Sequence, residues 1–237
     1  MFFYSFGLYK RKNLAIMRPK FAPHPRRPLA AESRGDSKEE LNMENKRFNT
    51  RKLTGLALLT AIVVILQFLG AFIRFGPFSI SLVLIPIVVG AALYGVWAGA
   101  WLGFVFGLVV LLSGDAAAFL VISPIGTILV VLLKGALAGL CAGAVYRALC
   151  KKNETVATIV AAVVAPVVNT GIFLLGCLVF FLPTVTEWSV AMGFENVGAY
   201  MILGLVGGNF LFELLFNVIL SPVIVRLIRI GRKENKE

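Results

Sequence analysis

The sequence predicts an all-α membrane protein, a single bundle of six transmembrane helices with both termini cytosolic. Of 237 residues, 59% are hydrophobic and only 15% charged, against about 45–50% and 25% in soluble domains. The apolar residues gather in runs long enough to cross a bilayer core, which takes about 20 residues of helix. The basic residues collect at alternate ends of those runs, as cytosolic loops do.

Residues 1–52 hold 13 Lys and Arg against 5 acids, most of the net charge of +11. Pro, Arg, Lys, Ser and Glu mix there without apolar periodicity, the composition of a disordered cytosolic leader. The opening Met1-Phe2-Phe3-Tyr4-Ser5-Phe6-Gly7-Leu8-Tyr9 is too short to span, and its cations follow rather than precede it, unlike a signal peptide. Met43-Glu44-Asn45-Lys46 offers an alternative start.

The first span is expected over Leu53–Ile73. Residues 75–114 carry no charge, enough for two spans, placed at Ile80–Leu93 and Val96–Leu112 around a turn at Leu93-Tyr94-Gly95. Pro86 predicts a kink or tilt in the shorter of them. In the longer one Gly95, Gly99, Gly103 and Gly107 recur every fourth residue. Such a ridge of missing side chains lets a second backbone approach closely, a reading favoured over a glycine path for a sliding substrate.

After the loop Ser113-Gly114-Asp115, the fourth span is placed at Phe119–Tyr146. Lys134 is its only charge, Gly135, Gly139 and Gly143 form a second ridge, and Arg147, Lys151 and Lys152 follow it. The fifth span runs Thr155–Leu182, with Pro166 and Asn169-Thr170-Gly171 near mid-depth, and Leu182-Pro183 ends it. A loop over Thr184–Glu195, with Glu187, Trp188, Met192 and Phe194, suits an interface anchor better than a gating lid. The sixth span, Val197–Ile228, closes a membrane domain covering 53–230, and 231–237 form a charged tail.

With both termini inside, the cytosolic face collects Lys46, Arg47, Arg51, Lys52, the three cations after span four and Arg226, Arg229, Arg232, Lys233 and Lys236. The outer loops hold one cation, Arg74, with Asp115, Glu187 and Glu195. That asymmetry fixes the predicted orientation.

Several function classes drop out on inventory. No basic stripe is interleaved with exposed aromatics, so nucleic acid is not an expected partner. Cys141, Cys150 and Cys177 lack metal-ligand spacing and read as packing residues. The single histidine, His24, excludes a His-Glu-x-x-His metalloprotease, and no Gly-x-x-x-x-Gly-Lys-Ser/Thr loop is present to bind ATP. No enzyme activity, cofactor or metal is expected, and a chain with one pocket and no inverted repeat needs a partner to drive transport.

The polar groups inside the spans are Gln67, Lys134, Asn169, Thr170, Asn209, Glu213 and Asn217. Glu213 is the only charge between Asn196 and Val225, and positions 209, 213 and 217 share one helical stripe at about 100° per residue. Ionisable groups at such depth face protein, water or ligand. Two readings follow: a buried Lys134–Glu213 ion pair with the amides serving backbone freed by Pro86 and Pro166, or a small-molecule site. Seven groups on four spans, with both signs of charge, favour the site, in a cavity opening outward.

Six spans with cytosolic termini, Ala57-Leu-Leu-Thr-Ala61 on the first span and a polar outer pocket resemble the substrate-binding S component of energy-coupling factor (ECF) vitamin transporters, over about Arg51 to Arg232. Pro166-Val-Val-Asn169-Thr-Gly171 and Gly208-Asn209-Phe-Leu-Phe-Glu213 look like segments of its vitamin-type members. The resemblance implies a bacterial cell membrane protein that captures a micronutrient from outside and delivers it through a transmembrane coupling subunit and two cytosolic ATPases, toppling in the membrane to release it. It implies that Ala57 and Ala61 present the docking face to the coupling subunit. It also selects Lys134, Asn169, Asn209 and Glu213 as substrate-binding, beside Gln67 among the intramembrane polar groups, with Arg74 and Trp188 near the mouth.

Lys134 and Arg74 suit a carboxylate, and the acid and amides suit hydroxyls or amides. With few aromatics at obvious stacking positions, a pantothenate-like molecule is expected rather than a flavin. A structural or assembly protein of the cell envelope, or an autonomous proton-coupled carrier, are the alternatives.

Overall fold

The computed structural model describes residues 50–70, 74–75, 78–79 and 82–234. The expectations placed on the leader before Thr50 and on the last three residues lie outside that range. Four helices are long and apolar enough to cross a membrane, and two shorter apolar helices accompany them. The chain is thus a multi-pass, helical membrane protein, as predicted.

Helix α1 (Thr50–Gly70) carries the first apolar run. It rests on the next helix through small residues, with Tyr94 against Gly55 and Leu59 against Gly90. Its seat is shallow: of its described residues only Val63 and Gln67 are fully buried. Beyond it, β1 (Arg74–Phe75) and β2 (Phe78–Ser79) make a two-residue antiparallel ladder, pairing Arg74 with Ser79 and Phe75 with Phe78. The all-helical expectation missed this ladder, since two-residue strands are too short to leave a periodic signal.

The second expected span, Ile80–Leu93, is a short helix α2 (Leu84–Tyr94) of 11 residues. At about 1.5 Å per residue it is about half the thickness of a bilayer core. Leu84 and every residue from Pro86 to Ala92 are buried, and the helix touches α3, α5, α6 and α9 defined below. An apolar helix covered on all sides is a core element rather than a lipid-facing one. The kink expected at Pro86 is unnecessary, because Pro86 sits in the first turn, where a missing N–H costs no helical bond.

Gly95, at φ 105°, separates α2 from α3 (Val96–Leu112). It leaves the glycine ridge, having nothing within 4 Å of where a Cβ would stand. The remaining ridge packs as expected. Gly99 lies on the carbonyl of Gly139, Gly103 on that of Gly135, and Gly107 on that of Val131, so α3 and α5 run antiparallel with their backbones in contact.

The fourth span differs from Phe119–Tyr146. It divides into α4 (Ala117–Ile122) and α5 (Pro124–Leu149), broken at Ser123 (φ −147°, ψ 93°). The reason is local: a residue before proline disfavours helix, the Ser123 hydroxyl accepts from Gly126 N at 3.3 Å, and Pro124 suits the first helical position. Helix α6 (Glu154–Phe180) starts where Asn153 Oδ1 accepts from Thr155 N and Val156 N, and it continues through Pro166.

The loop expected over Thr184–Glu195 is mostly helix, α7 (Leu182–Ala191). Leu182-Pro183 therefore opens a helix besides closing one. The sixth span is also interrupted. After the single turn α8 (Val197–Ala199), a π-helical segment, Tyr200–Leu205, breaks at Val206 before α9 (Gly207–Glu234). Gly204, Gly207 and Gly208 weaken the helix there, and the Ile202 carbonyl lies where a Gly207 Cβ would stand.

Two apolar clusters result. One centres on α2 and includes Leu102, Phe106, Val131, Ala161, Ile224 and Ile228. The other gathers Val130, Cys177, Phe181, Val185, Tyr200 and Met201 around α7 and the π segment. At the opposite end of the long helices, Arg232 meets Glu154 at 3.1 Å and lies over the Tyr146 ring at 5.6 Å, while Tyr146 Oη donates to Glu154 Oε1 at 3.4 Å. These contacts tie α5, α6 and α9 together.

Candidate functional site

A cavity of about 320 Å³ lies where the two clusters part, walled by Phe106, Val110 and Val131 from one and Val130 and Phe181 from the other. Its size falls within the usual range of small-molecule sites, about 300–1,000 Å³. The polar groups come from separate elements: Gln67 from α1, Asp115 from the loop after α3, Thr127 and Lys134 from α5, Asn169 and Thr170 from α6, and Asn209 and Glu213 from α9.

Each is placed by its helix. Asn209 and Glu213 stand one turn apart on α9, immediately after the break at Val206, so both face the same way. Asn169 lies three residues beyond Pro166 on α6. Thr127 spends its hydroxyl on the Ser123 carbonyl at 2.8 Å. Lys134 extends its ammonium over two ring faces, Phe173 at 5.3 Å and Phe106 at 5.9 Å from the centroids. Glu213 and Asp115 are both near enough to act on it electrostatically.

Three carboxamides are incompletely served. Asn169 Oδ1, Asn209 Oδ1 and Asn217 Oδ1 are buried without a donor among the described residues. Leaving such an acceptor unmet costs about 1–3 kcal/mol, and Asn169 and Asn209, though not Asn217, line the cavity.

Of the predicted site residues, Gln67, Lys134, Asn169, Asn209 and Glu213 meet on this one wall. Trp188 stands behind it, edge-on to Phe119 at 5.6 Å, and Phe119 is itself a wall residue. Arg74 belongs to β1, and its side chain lies outside the description. Asn217, one turn further along α9, donates to the Glu213 carbonyl at 2.8 Å and is 1% exposed, away from the cavity lining. Ala57 and Ala61 are exposed on α1.

Sequence reasoning missed two features. Phe106, Phe119, Phe173, Phe181 and Phe210 all line the cavity, where few aromatics had been expected. Each sits in an apolar run whose facing direction no periodicity reveals. Asp115 was assigned to a loop, yet it reaches the cavity, its Oδ2 accepting from Gln67 Nε2 at 2.7 Å and Ser113 Oγ at 3.4 Å. The signal available was the lone acid at the end of 40 uncharged residues.

Comparison with curated proteins returned no match. The profile of the family described as "ECF transporter, substrate-specific component" matches residues 51–225, which includes every polar group of the cavity. A helical membrane bundle holding a small-molecule-sized cavity agrees with that match, and the chain belongs to the substrate-specific components of ECF transporters.

Proposed function

We propose that this chain captures a water-soluble vitamin or related micronutrient in the cavity and passes it to a coupling subunit driven by two ATPases. With the basic ends of α1 and α9 cytosolic, the cavity lies in the outer half of the membrane, open to the side from which the nutrient comes. The observation that carries the reading is the pair of buried carboxamide oxygens of Asn169 and Asn209, which lack donors among the described residues and belong to side chains lining one cavity.

In this reading Lys134 binds a carboxylate, and Asn169 and Asn209 accept from hydroxyl or amide groups of the ligand. A pantothenate-like molecule supplies all three, and its branched alkyl centre fits against the phenylalanines. Arg74 and Trp188 act near the mouth. Mass spectrometry of the detergent-purified protein tests this directly: one stoichiometric small molecule is expected. A ligand-free protein able to fold, at concentrations where nanomolar binders persist, would instead favour a structural or assembly role. Activity of this chain alone in liposomes would favour an autonomous carrier.

Docking to the coupling subunit is separable from binding. Ala57 and Ala61 lie on the exposed side of α1, so Ala57→Trp is expected to abolish uptake by the assembled transporter while leaving ligand affinity within about twofold. Equal loss of both would make these alanines packing residues of the bundle.

A further inference from the structure

The Lys134 ammonium rests on a built seat. It stands over two ring faces, 5.3 Å from the centroid of Phe173 and 5.9 Å from that of Phe106, and both rings line the cavity. Each ring is held by its own neighbour. Phe106 of α3 lies against α5 at Gly135, where a Cβ would stand 3.2 Å from the ring's Cδ1, so the missing side chain next to Lys134 admits the ring. Phe173 of α6 is braced edge-on by Phe119 of α4, at 5.5 Å and 87°. An aromatic face attracts a cation within about 6 Å through its quadrupole, whether that cation belongs to the protein or to a ligand. Two faces converging on one point therefore favour positive charge there, and in this protein a side chain supplies it.

Resting on the reading that this cavity binds the transported molecule, we propose that Phe106 and Phe173 form a cation seat which Lys134 fills from within, and that this occupancy sets the sign of the substrate. With the seat filled, the wall presents a fixed ammonium, and the substrate is an organic anion. An organic cation of the same shape meets like charge and finds the seat taken. Phe106 and Phe173 are positioning residues, acting on the ligand through Lys134. Without the lysine the same two faces are open to an ammonium carried by the ligand, and the local charge is lower by one unit. Loss of this one side chain therefore inverts the charge preference of the cavity instead of erasing it.

The test uses calorimetry on the full chain in detergent with two probes of one shape: pantothenate, and the amine in which an ammonium group replaces its carboxylate. Wild type is expected to bind pantothenate at least tenfold tighter than the amine. Lys134→Met is expected to reverse that order and to bind the amine at least tenfold tighter than wild type does. Adding Phe173→Leu to Lys134→Met is expected to weaken the amine at least threefold, within the roughly 2- to 30-fold that one cation–π contact represents, and to leave pantothenate unchanged. A ring that only filled space would move both probes alike. With Lys134 in place, Phe173→Leu is expected to weaken pantothenate at least threefold, and Phe173→Tyr, which keeps the ring face, less than twofold.

A Lys134→Met protein that binds the amine no better than wild type overturns the inference, as does a Phe173→Leu loss that falls equally on both probes. If Lys134→Met does not stay monodisperse, the wild-type background decides: an amine bound as tightly as pantothenate, or equal affinities in wild type and Phe173→Leu, sinks the idea. The amine bound by Lys134→Met while pantothenate binds neither form upholds the seat and removes pantothenate as the substrate. Neither probe bound by any form overturns the inference. A single small molecule co-purified with wild type would then still uphold the binding reading, and its absence would overturn that reading as well.

Discussion

Gly103→Leu is expected to remove the protein from the folded pool. A Cβ on Gly103 would occupy the place of the Gly135 carbonyl oxygen, and a Cβ on Gly135 that of the Gly103 carbonyl. Neither obstacle is a side chain able to swing away, so α3 and α5 must separate along their shared length. Overpacking costs about 1–3 kcal/mol where side chains can yield, and more where they cannot. A domain stable by about 5–15 kcal/mol does not absorb the upper end of that cost together with loss of its most extensive helix contact. The measurement is the monodisperse fraction on size exclusion and the melting temperature of what survives. Gly171→Ala serves as control: nothing lies within 4 Å of that Cβ position, and alanine is the better helix former by about 1 kcal/mol. If Gly103→Leu melted like the control, the backbone contact would not be a source of stability.

Lys134→Gln is expected to produce the largest loss of ligand binding. A charge-assisted hydrogen bond contributes about 1.5–3 kcal/mol, which corresponds to a loss of about 10- to 150-fold in affinity. Glu213→Gln keeps one acceptor oxygen and replaces the other with an NH2 donor, so its effect is expected to be smaller, within about tenfold. The double variant decides what Lys134 serves. Additive losses mean that lysine and glutamate act on the ligand independently. Recovery of binding in the double variant means that the two charges mainly compensate each other. The rings of Phe106 and Phe173 beneath the ammonium favour additivity, since they hold the lysine at the wall whether or not Glu213 is charged.

The sequence made the polar residues of the cavity legible through polarity and the helical membrane fold through the length of its apolar runs. A lone Glu213 in a long apolar run, with Asn209 a turn away, needed no structure to stand out, and five polar residues from four helices do meet at the cavity. The glycine ridges were equally readable, because a four-residue repeat has few other uses in an apolar helix.

What stayed hidden was where continuous apolar runs break. Ser123-Pro124 and Gly207-Gly208 lie inside hydrophobic segments, and each carries a local signal that an 18- to 20-residue reading averages away. The buried face of a uniformly apolar helix is likewise set by its neighbours, not its own period. Hence α2 proved to be a core element, and the five phenylalanines of the cavity went unassigned. Asp115 was lost for a different reason: a loop residue reaches a site through tertiary geometry, here through Gln67 of α1.

The three breaks, at Ser123, Phe181 and Val206, divide the helices toward the end that holds the cavity, and the Tyr146–Glu154–Arg232 knot ties α5, α6 and α9 at the other. The described helices thus have a tied end and an end where they are broken. The segments at the broken end, α4, α7 and the π segment, take no part in the α3–α5 backbone contact. Evolution can therefore alter the cavity end by substitution without renegotiating the stability of the bundle that carries it.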